Sequence, residues 1–337
     1  MKVSVIIPLY NAEAFLNDCL DCLFQQTYDS LELIFINDAS SDNTAKELEQ
    51  LLKKSRYPFQ VLTNPENRGS GYSRNCGIKS ATGDYVLFLD VDDLISCDCI
   101  YTMVAQAQKY NYPDIIVCDF REDFPTYGYR RGFDGGKYYN NNDDIQQAYY
   151  QQFWYEMPWN KLLKRTYLLE NSLWFPDGCY YEDAPWSFRT ALTASTLLLV
   201  PKETYYYRTN PTQKTAINKD SQTAVSERSK TYIMMSEIAH LFGQDNAILW
   251  IIEQETGYLL SAMRNDCLPQ QAKRDIYTNM RSCCLRKEAW GALCHNGFPR
   301  GLKIVLLYRF LPFPIGLTYL GIICRILPLR TMRNKAC

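Results

Sequence analysis

Histidine is scarce. His240 and His295 are the two among 337 residues, and both lie far from the polar strand ends described below. That leaves little room for a His-rich metal centre or a serine–histidine triad. A dominant charge is missing too: 36 Lys and Arg stand against 37 Asp and Glu, a formal net charge of -1. A general nucleic-acid binder needs a basic field to neutralise phosphates, so any phosphate chemistry must be local. Membrane-length apolar runs are also lacking. The uncharged stretch 310–324 spans fifteen residues and contains Pro312 and Pro314, short of the roughly 20 a spanning helix needs. The opening run Met1–Pro8 has no apolar region ending in a small-residue cleavage site, so it reads as a buried strand and not a secretory leader. The 13 cysteines, odd in number and scattered, are therefore expected to be reduced and cytosolic. Cys19 and Cys22 have CxxC spacing and Cys97 lies close to Cys99, so a four-thiolate zinc site is conceivable. Buried free cysteine in a helical pattern is the plainer reading of Cys19 and Cys22.

What is present is core material. Hydrophobic residues make up 47% of the chain and charged residues 22%, a globular composition whose length suggests about two structural units. In the first third, short apolar runs alternate with amphipathic stretches. Val3–Pro8, Leu31–Ile36, Phe59–Leu62, Tyr85–Leu89 and Ile115–Cys118 are strand candidates, too short for helices. Helices are expected near 12–26, 43–55, 71–81 and 98–110, with Asn11 and Asp42 as possible N-caps. This alternation predicts an α/β fold with parallel βαβ units, in which ligands bind beyond the carboxyl ends of the strands. From about 121 to 160 the pattern dissolves into an aromatic, Asn-rich stretch that suggests a surface excursion. Helices near 160–171 and 184–194 and two short strands at 196–200 and 203–207 follow, then helices from about 215 to 290. We expect domains at 1–215 and 216–337.

The strand ends are polar: Leu9-Tyr10-Asn11, Asn37-Asp38-Ala39-Ser40 and Asp90-Val91-Asp92-Asp93. Three carboxylates in four residues repel one another unless a cation or solvent intervenes, and oxygen donors of this kind suit Mg²⁺ or Mn²⁺. Taken alone, the same residues could form a solvated turn capping the next helix. In order along the chain stand Val3–Asn11, Asp38, Arg74-Asn75-x-Gly77, Ala81-x-Gly83-Asp84, Asp90-x-Asp92-Asp93, Trp159-Asn160-Lys161, Tyr181-Glu182-Asp183 and Tyr206-Tyr207-Arg208. Over about the first 210 residues this series closely resembles the family-2 glycosyltransferases of the GT-A fold.

The resemblance implies a Rossmann-like, mostly parallel sheet with flanking helices and, in this chain, a C-terminal helical extension. It implies a donor site in which Tyr10, beside Pro8, packs on a nucleobase and Asp38 accepts its imide hydrogen, favouring a uracil or thymine nucleotide. Arg74 would lie near the phosphates or order the loop, Asp90 would hold the ribose, and Trp159 and Lys161 would shape the pocket. Asp92 and Asp93 would bind the divalent metal. Asp183 would be the general base of an inverting transfer from a UDP-sugar to a glycan or lipid-linked acceptor, as in bacterial surface polysaccharide synthesis. Glycine usually follows the strand-two aspartate in this family. Ala39 stands there, so that turn is expected to form without a positive φ at this position. Trp159 reads equally well as core, and Glu182-Asp183 as acids stabilising a helix start. The Tyr/Trp-rich stretch 138–159 could be a sugar platform, although packing is the commoner use of such rings.

Competing readings remain. Phe88–Asp93 also resembles the haloacid dehalogenase motif, with Asp90 as phosphoryl acceptor, but that motif usually opens its domain. Gly69-Ser70-Gly71 lacks the strand and third glycine of a dinucleotide fingerprint. A non-catalytic nucleotide-sugar binder is the third alternative. After Glu288 there is no acidic residue, whereas Arg300, Lys303, Arg309, Arg325, Arg330, Arg333 and Lys335 are basic. With interleaved Leu, Ile, Phe and Tyr, the tail 300–337 is expected to lie on the inner face of the cytoplasmic membrane. A terminal helix pair packed on protein, or on a second subunit in an oligomer, is the alternative.

Overall fold

The computed structural model describes residues 1–122, 136–208, 222–265, 268–282 and 286–326. The chain divides into two compact units, Met1–Pro211 and Thr212–Cys337. The boundary expected near 215 falls outside the described residues.

Unit 1 is built on a nine-stranded sheet. Strands β1 (Val3–Leu9), β2 (Leu31–Asn37), β3 (Phe59–Thr63) and β4 (Tyr85–Phe88) pair in parallel in the order β3-β2-β1-β4. Helices α1 (Leu16–Phe24), α2 (Thr44–Leu52) and α3 (Ser70–Ser80) connect them, and α4 (Cys99–Lys109) follows the short β5 (Leu94–Ile95). The period of two along β1 assigns its faces. Val3, Val5, Ile7 and Leu9 join Leu16, Leu20, Leu23, Ile100 and Met103 in one core cluster. Ile6 points the other way, under α3, where a Cβ on Gly77 would come within 2.3 Å of it. Both faces of β1 are therefore covered, which is why its residues other than Ser4 are apolar.

One acid interrupts this core. Glu32, in β2, is 5% exposed and accepts hydrogen bonds from Ser4 Oγ (2.5 Å), Thr82 N (2.6 Å) and Oγ1 (2.8 Å), and Gly83 N (3.2 Å), with Lys2 Nζ at 2.6 Å. Gly83 is required by this approach, since a Cβ there would lie 2.7 Å from Ser4 Oγ. The Ala81-x-Gly83-Asp84 motif is thus a splice between the starts of β1 and β4, with Asp84 accepting from Lys2 N.

The second half of the sheet departs from the sequence expectation. Lys161–Lys164 is a strand, β8, antiparallel to both β4 and β6 (Ile115–Glu122), and the helix α6 begins only at Arg165 and ends at Glu170. The two expected strands at 196–200 and 203–207 are one, β9 (Leu197–Tyr207), parallel to β6. Pro201 has no N–H to give the ladder, and the pairing shifts register there between Cys118 and Phe120 instead of ending. The surface excursion carries regular elements as well. Its described portion contains β7 (Lys137–Tyr139), paired with β9, and α5 (Asn142–Tyr150), which Asn141 caps by accepting from Asp144 N at 2.9 Å. Helix α7 spans Asp183–Thr193.

Among its described residues, unit 2 is helical. It comprises α8 (Gln222–Leu241), α9 (Asp245–Arg264), α10 (Gln270–Ser282), α11 (Arg286–Cys294), α12 (Arg300–Leu306), a 3₁₀ turn at Leu307–Arg309 and α13 (Phe313–Ile326). Its core includes Ile251, Leu259, Ile276, Tyr277, Met280 and Val305. No helix among the described residues is long and apolar enough to cross a membrane.

Candidate active site

The carboxyl ends of β1 and β2 are tied together. Asn11, at φ 46°, accepts from Ser41 N (2.8 Å), and its own N–H donates to Ser40 Oγ (3.1 Å). Asn11 therefore does not cap α1, whose N-cap position is Phe15. Asp42 is not the N-cap of α2 either, since that position is Asn43, but its carboxylate accepts from Thr44 N at 3.0 Å. The turn at Ala39 corrects the expectation from its sequence: φ is +57°. Ser40 N bonded to Asn37 Oδ1 (3.0 Å) and Asp38 N bonded to Leu9 O (2.8 Å) fix the chain on either side, so the alanine is held where glycine would sit freely. Pro8 is half-buried on β1, and Tyr10 is 52% exposed beside this turn.

Asp38 is buried, and its carboxylate organises the approach to α3. It accepts from Asn64 Nδ2 (2.6 Å), Arg68 N (3.0 Å) and Gly69 N (2.7 Å). Arg68 N is shared with the second oxygen at 3.2 Å, so two contacts on each oxygen hold the carboxylate in place. Gly69 enters the helix at φ +87°. Gly71 admits Glu182, whose Cγ would lie 2.9 Å from a Cβ there, and Ser70 Oγ donates to Glu182 Oε1. These two glycines thus serve a turn and a close side-chain approach, with β3 already ended at Thr63.

Arg74 is the hub. Its side chain is 4% exposed and pairs with Asp90 (2.8 Å), Asp183 (3.0 Å) and Glu182 (3.2 Å). Burial acts against its charge, but Asp90, Asp183 and Glu182 outweigh burial and push its pKa up, so it stays cationic. Burial, with Glu182 and Asp90 adding repulsion, pushes the Asp183 carboxyl well above its usual range against the pull of Arg74. The Glu182 side chain makes no capping bond at the start of α7. The neighbouring motif residue Asn75 clamps the Phe175 backbone, donating to its O (2.8 Å) and accepting from its N (2.9 Å).

The turn Asp90–Asp93 is supported from below. Asp93 is fully buried, and its two oxygens accept from Tyr205 OH (2.6 Å) and Arg208 N (2.9 Å). Arg208 Nε donates to the Asp92 carbonyl at 2.5 Å, and its Nη1 pairs with Asp18 at 2.6 Å. Trp159 is buried, stacked on Tyr205 (4.5 Å between centroids, 9°) and Tyr207. Lys161 is buried as well. Its ammonium donates to Met157 O and to Asn160 Oδ1 (3.0 Å), and burial brings its pKa down to about 7, opposed by Asp183 and Glu156. In the aromatic stretch, Trp154, Tyr149 and Tyr155 are buried, whereas Tyr138 is exposed.

The structure therefore gathers Arg74, Asp90 and Asp183 at one point, sets Asp38 and Tyr10 on the adjoining strand ends, and places Asp93, Trp159 and Lys161 in the interior behind them. Sequence reasoning did not single out as site residues Asn64, Tyr205, Ser70, which donates to Glu182, or Asp18, which pairs with Arg208. Arg208 carried a signal, as the last residue of a recognised motif. Tyr205 carried none beyond its place in a tyrosine run.

A divalent cation suits the charge of this site: three carboxylates surround one guanidinium, and repulsion from Glu182 and Asp90 adds to burial in raising the Asp183 pKa. No three His, Cys, Asp or Glu side chains among the described residues converge as metal ligands. The site fits a cation held by one or two carboxylates with substrate phosphates completing its shell, a usual arrangement for Mg²⁺. The thiol cluster does not form a metal site either. Burial pushes the thiol pKa values of Cys19, Cys22 and Cys99 up, keeping them protonated and inert.

Comparison with known proteins agrees with this geometry. Residues 4–171 match the family Glycosyl transferase family 2. EpsH of Bacillus subtilis is 31% identical over 214 residues, a match covering 61% of this chain and 60% of EpsH. EpsJ of the same organism is 26% identical over 325 residues, covering 90% of this chain and 91% of EpsJ. The crystal structure of Staphylococcus aureus TarS 1-349 in complex with UDP-GlcNAc superposes with a TM-score of 0.74 at 17% identity, covering 96% of this chain and 91% of that one. A likeness at that identity speaks for the fold. With the ordered motifs, the largely parallel sheet and the carboxylates at its strand ends, these matches establish that the chain belongs to glycosyltransferase family 2 and has the GT-A fold.

Proposed function

We propose that this chain is an inverting hexosyltransferase that moves a sugar from a UDP-sugar to a glycan or lipid-linked acceptor in surface polysaccharide synthesis. The observation that carries this reading is the convergence of Asp90 and Asp183, from distant parts of the sequence, on the single guanidinium of Arg74. Tyr10 and Asp38 face the nucleobase, Pro8 lies beside them, and Asp90 takes the ribose. Asp183 removes the proton from the acceptor hydroxyl as that oxygen attacks the anomeric carbon from the side opposite the diphosphate. A single displacement of this kind inverts configuration. Asp92 holds Mn²⁺ or Mg²⁺, which when bound supplies positive charge for the departing nucleoside diphosphate. Asp93, Trp159 and Lys161 keep that turn and pocket wall in place from within. The name of the relative TarS, a poly(ribitol-phosphate) beta-N-acetylglucosaminyltransferase, favours a polymeric acceptor of the cell surface. The basic, acid-free tail supports peripheral attachment at the inner face of the cytoplasmic membrane.

Nucleotide release from a panel of UDP, dTDP and GDP sugars, with Mn²⁺ or Mg²⁺, tests the assignment. UDP released with an inverted anomeric product supports it, and phosphate release from simple esters would return Asp90 to a phosphatase reading. Asp92→Asn should abolish transfer and remove the Mn²⁺-dependent part of UDP affinity in calorimetric titration, with folding intact. Unchanged metal-dependent affinity would sink Asp92 as the ligand.

A further inference from the structure

Unit 2 exposes apolar side chains in a pattern. On α13, Ile315, Ile322 and Ile326 are 56%, 53% and 68% exposed. Steps of seven and four residues on a helix return to the same side, so the three form one stripe about 16 Å long with the half-buried Tyr319 inside it. The opposite side of α13 is committed to the core of its own unit. Leu320 is fully buried, and a Cβ on Gly316 would meet Tyr277 Oη at 2.3 Å. A second stripe lies alongside. Arg300, Ile304 and Leu307 are exposed at four- and three-residue steps on α12 and the following turn, and Tyr319 OH donates to the Ile304 carbonyl at 2.6 Å. That bond sets the two stripes next to each other. Trp290, 60% exposed, meets Phe310 edge-on at 5.5 Å, just after the turn that carries Leu307.

On α12 and α13 the charges have one sign. Arg300 and Arg325 are exposed and Lys303 is partly so, and no acidic residue follows Glu288 in the sequence. Basic side chains flanking an apolar stripe can lay their stems along it and carry the charged heads outward. A tryptophan at the edge suits the headgroup level of a bilayer. A helix of this kind is too short to span, and its apolar side fits the boundary between headgroups and acyl chains.

Resting on the membrane attachment read above, we propose that the adjoining outer faces of α12 and α13, with Ile304 and Leu307 beside Ile315, Tyr319, Ile322 and Ile326, are the surface that seats this unit on an anionic lipid bilayer. The charge complementarity favours this occupant over a second copy of the chain, whose identical basic face would repel its mate.

The test is flotation of the full chain with vesicles of neutral phosphatidylcholine and with vesicles containing anionic phosphatidylglycerol. The wild-type chain should float with the anionic vesicles and much less with the neutral ones. Ile315→Ser with Ile322→Ser should lose flotation on both. Replacing Arg300, Lys303 and Arg325 by Gln should lower partitioning to anionic vesicles about a hundredfold, at the usual worth of a basic residue near such a surface. All these positions are outside the core, so the melting temperature and nucleotide release with a water-soluble acceptor should stay at wild-type values. If the wild-type chain floats and both variants float equally well, this face is wrong and attachment lies elsewhere. If the wild-type chain never floats, the attachment reading itself falls. A dimer in sedimentation that the isoleucine variant converts to monomer would assign the face to a second copy and overturn the proposal.

Discussion

Asp183, the base proposed above, has a pKa set by its surroundings. Burial and the neighbouring Glu182 and Asp90 push its carboxyl up, and Arg74 limits the rise. A base works deprotonated, so its activity is present above its pKa and lost as the pH falls through it. With the pKa raised, the acid limb of the pH–rate profile should lie above the ordinary carboxylate range, which is about 4. Asp183→Asn should cut nucleotide release by about two to four orders of magnitude and leave donor affinity nearly unchanged, because Arg74 retains Asp90 and Glu182. A variant that melts early yet turns over normally would return Asp183 to a structural role. Ala39 makes the opposite case, a residue at odds with its backbone. Its φ of +57° costs an alanine roughly 1–2 kcal/mol. Ala39→Gly should therefore raise stability by about 1 kcal/mol in chemical denaturation, net of the extra freedom glycine has when unfolded. No gain would mean that the turn relaxes around alanine.

At the scale of elements, β2 carries a carboxylate inside the sheet. Burial would raise the Glu32 pKa, but Lys2, Ser4 and Thr82 outweigh it and hold the pKa at about 2, against 4.5 unperturbed. A depressed pKa contributes stability that is fully present above the unfolded value and is lost as pH falls through the folded one. Between about pH 4.5 and 2, unit 1 should thus lose about 3 kcal/mol from this group alone. Denaturant midpoints measured across that window, in the wild type and in Glu32→Gln, check this: the variant should start lower and lose less. Elements of the first half were legible because β-branched runs, amphipathic spacing and polar strand ends agree with one another. The second half was less so. Lys161–Lys164 follows a helical pattern in sequence, and it becomes a strand because β4 and β6 flank it and take up its backbone groups. Pro201 reads as a strand end, yet β6 continues to pair past it. The carboxylates of the site were visible as types and positions. Their assembly on Arg74 was not, because Glu182-Asp183 is brought to α3 by contacts distant in sequence.

Across the whole molecule, the chain divides into two compact units, and each should respond to its own defects. Glu255 and Arg309 form an ion pair inside unit 2, with side chains 1% and 2% exposed. Arg309→Leu should destabilise that unit by about 3–5 kcal/mol by leaving a carboxylate buried without this counter-ion, and adding Glu255→Leu should recover most of the loss. Calorimetry should show the change in the transition of unit 2. A single variant as stable as wild type would mean that the pair contributes nothing net.

Pro201 has a consequence for counting residues. From the Cys118–Val200 pair to the Phe120–Tyr205 pair, β6 advances two residues and β9 advances five. Three extra residues is an odd number, so the alternation of sides along β9 inverts there. Before the irregularity, Leu198 and Val200 face the cluster that holds Ile116 and Cys118, and after it the odd-numbered Tyr205 faces the same cluster with Phe120 and Trp159. Parity thus puts Tyr205, and not Tyr206, on the side of Asp93. Deleting one residue between Pro201 and Thr204 would bring Tyr206 beneath the Asp90–Asp93 turn in its place and send Tyr205 outward, changing the support of the site while the composition of the strand stayed almost the same.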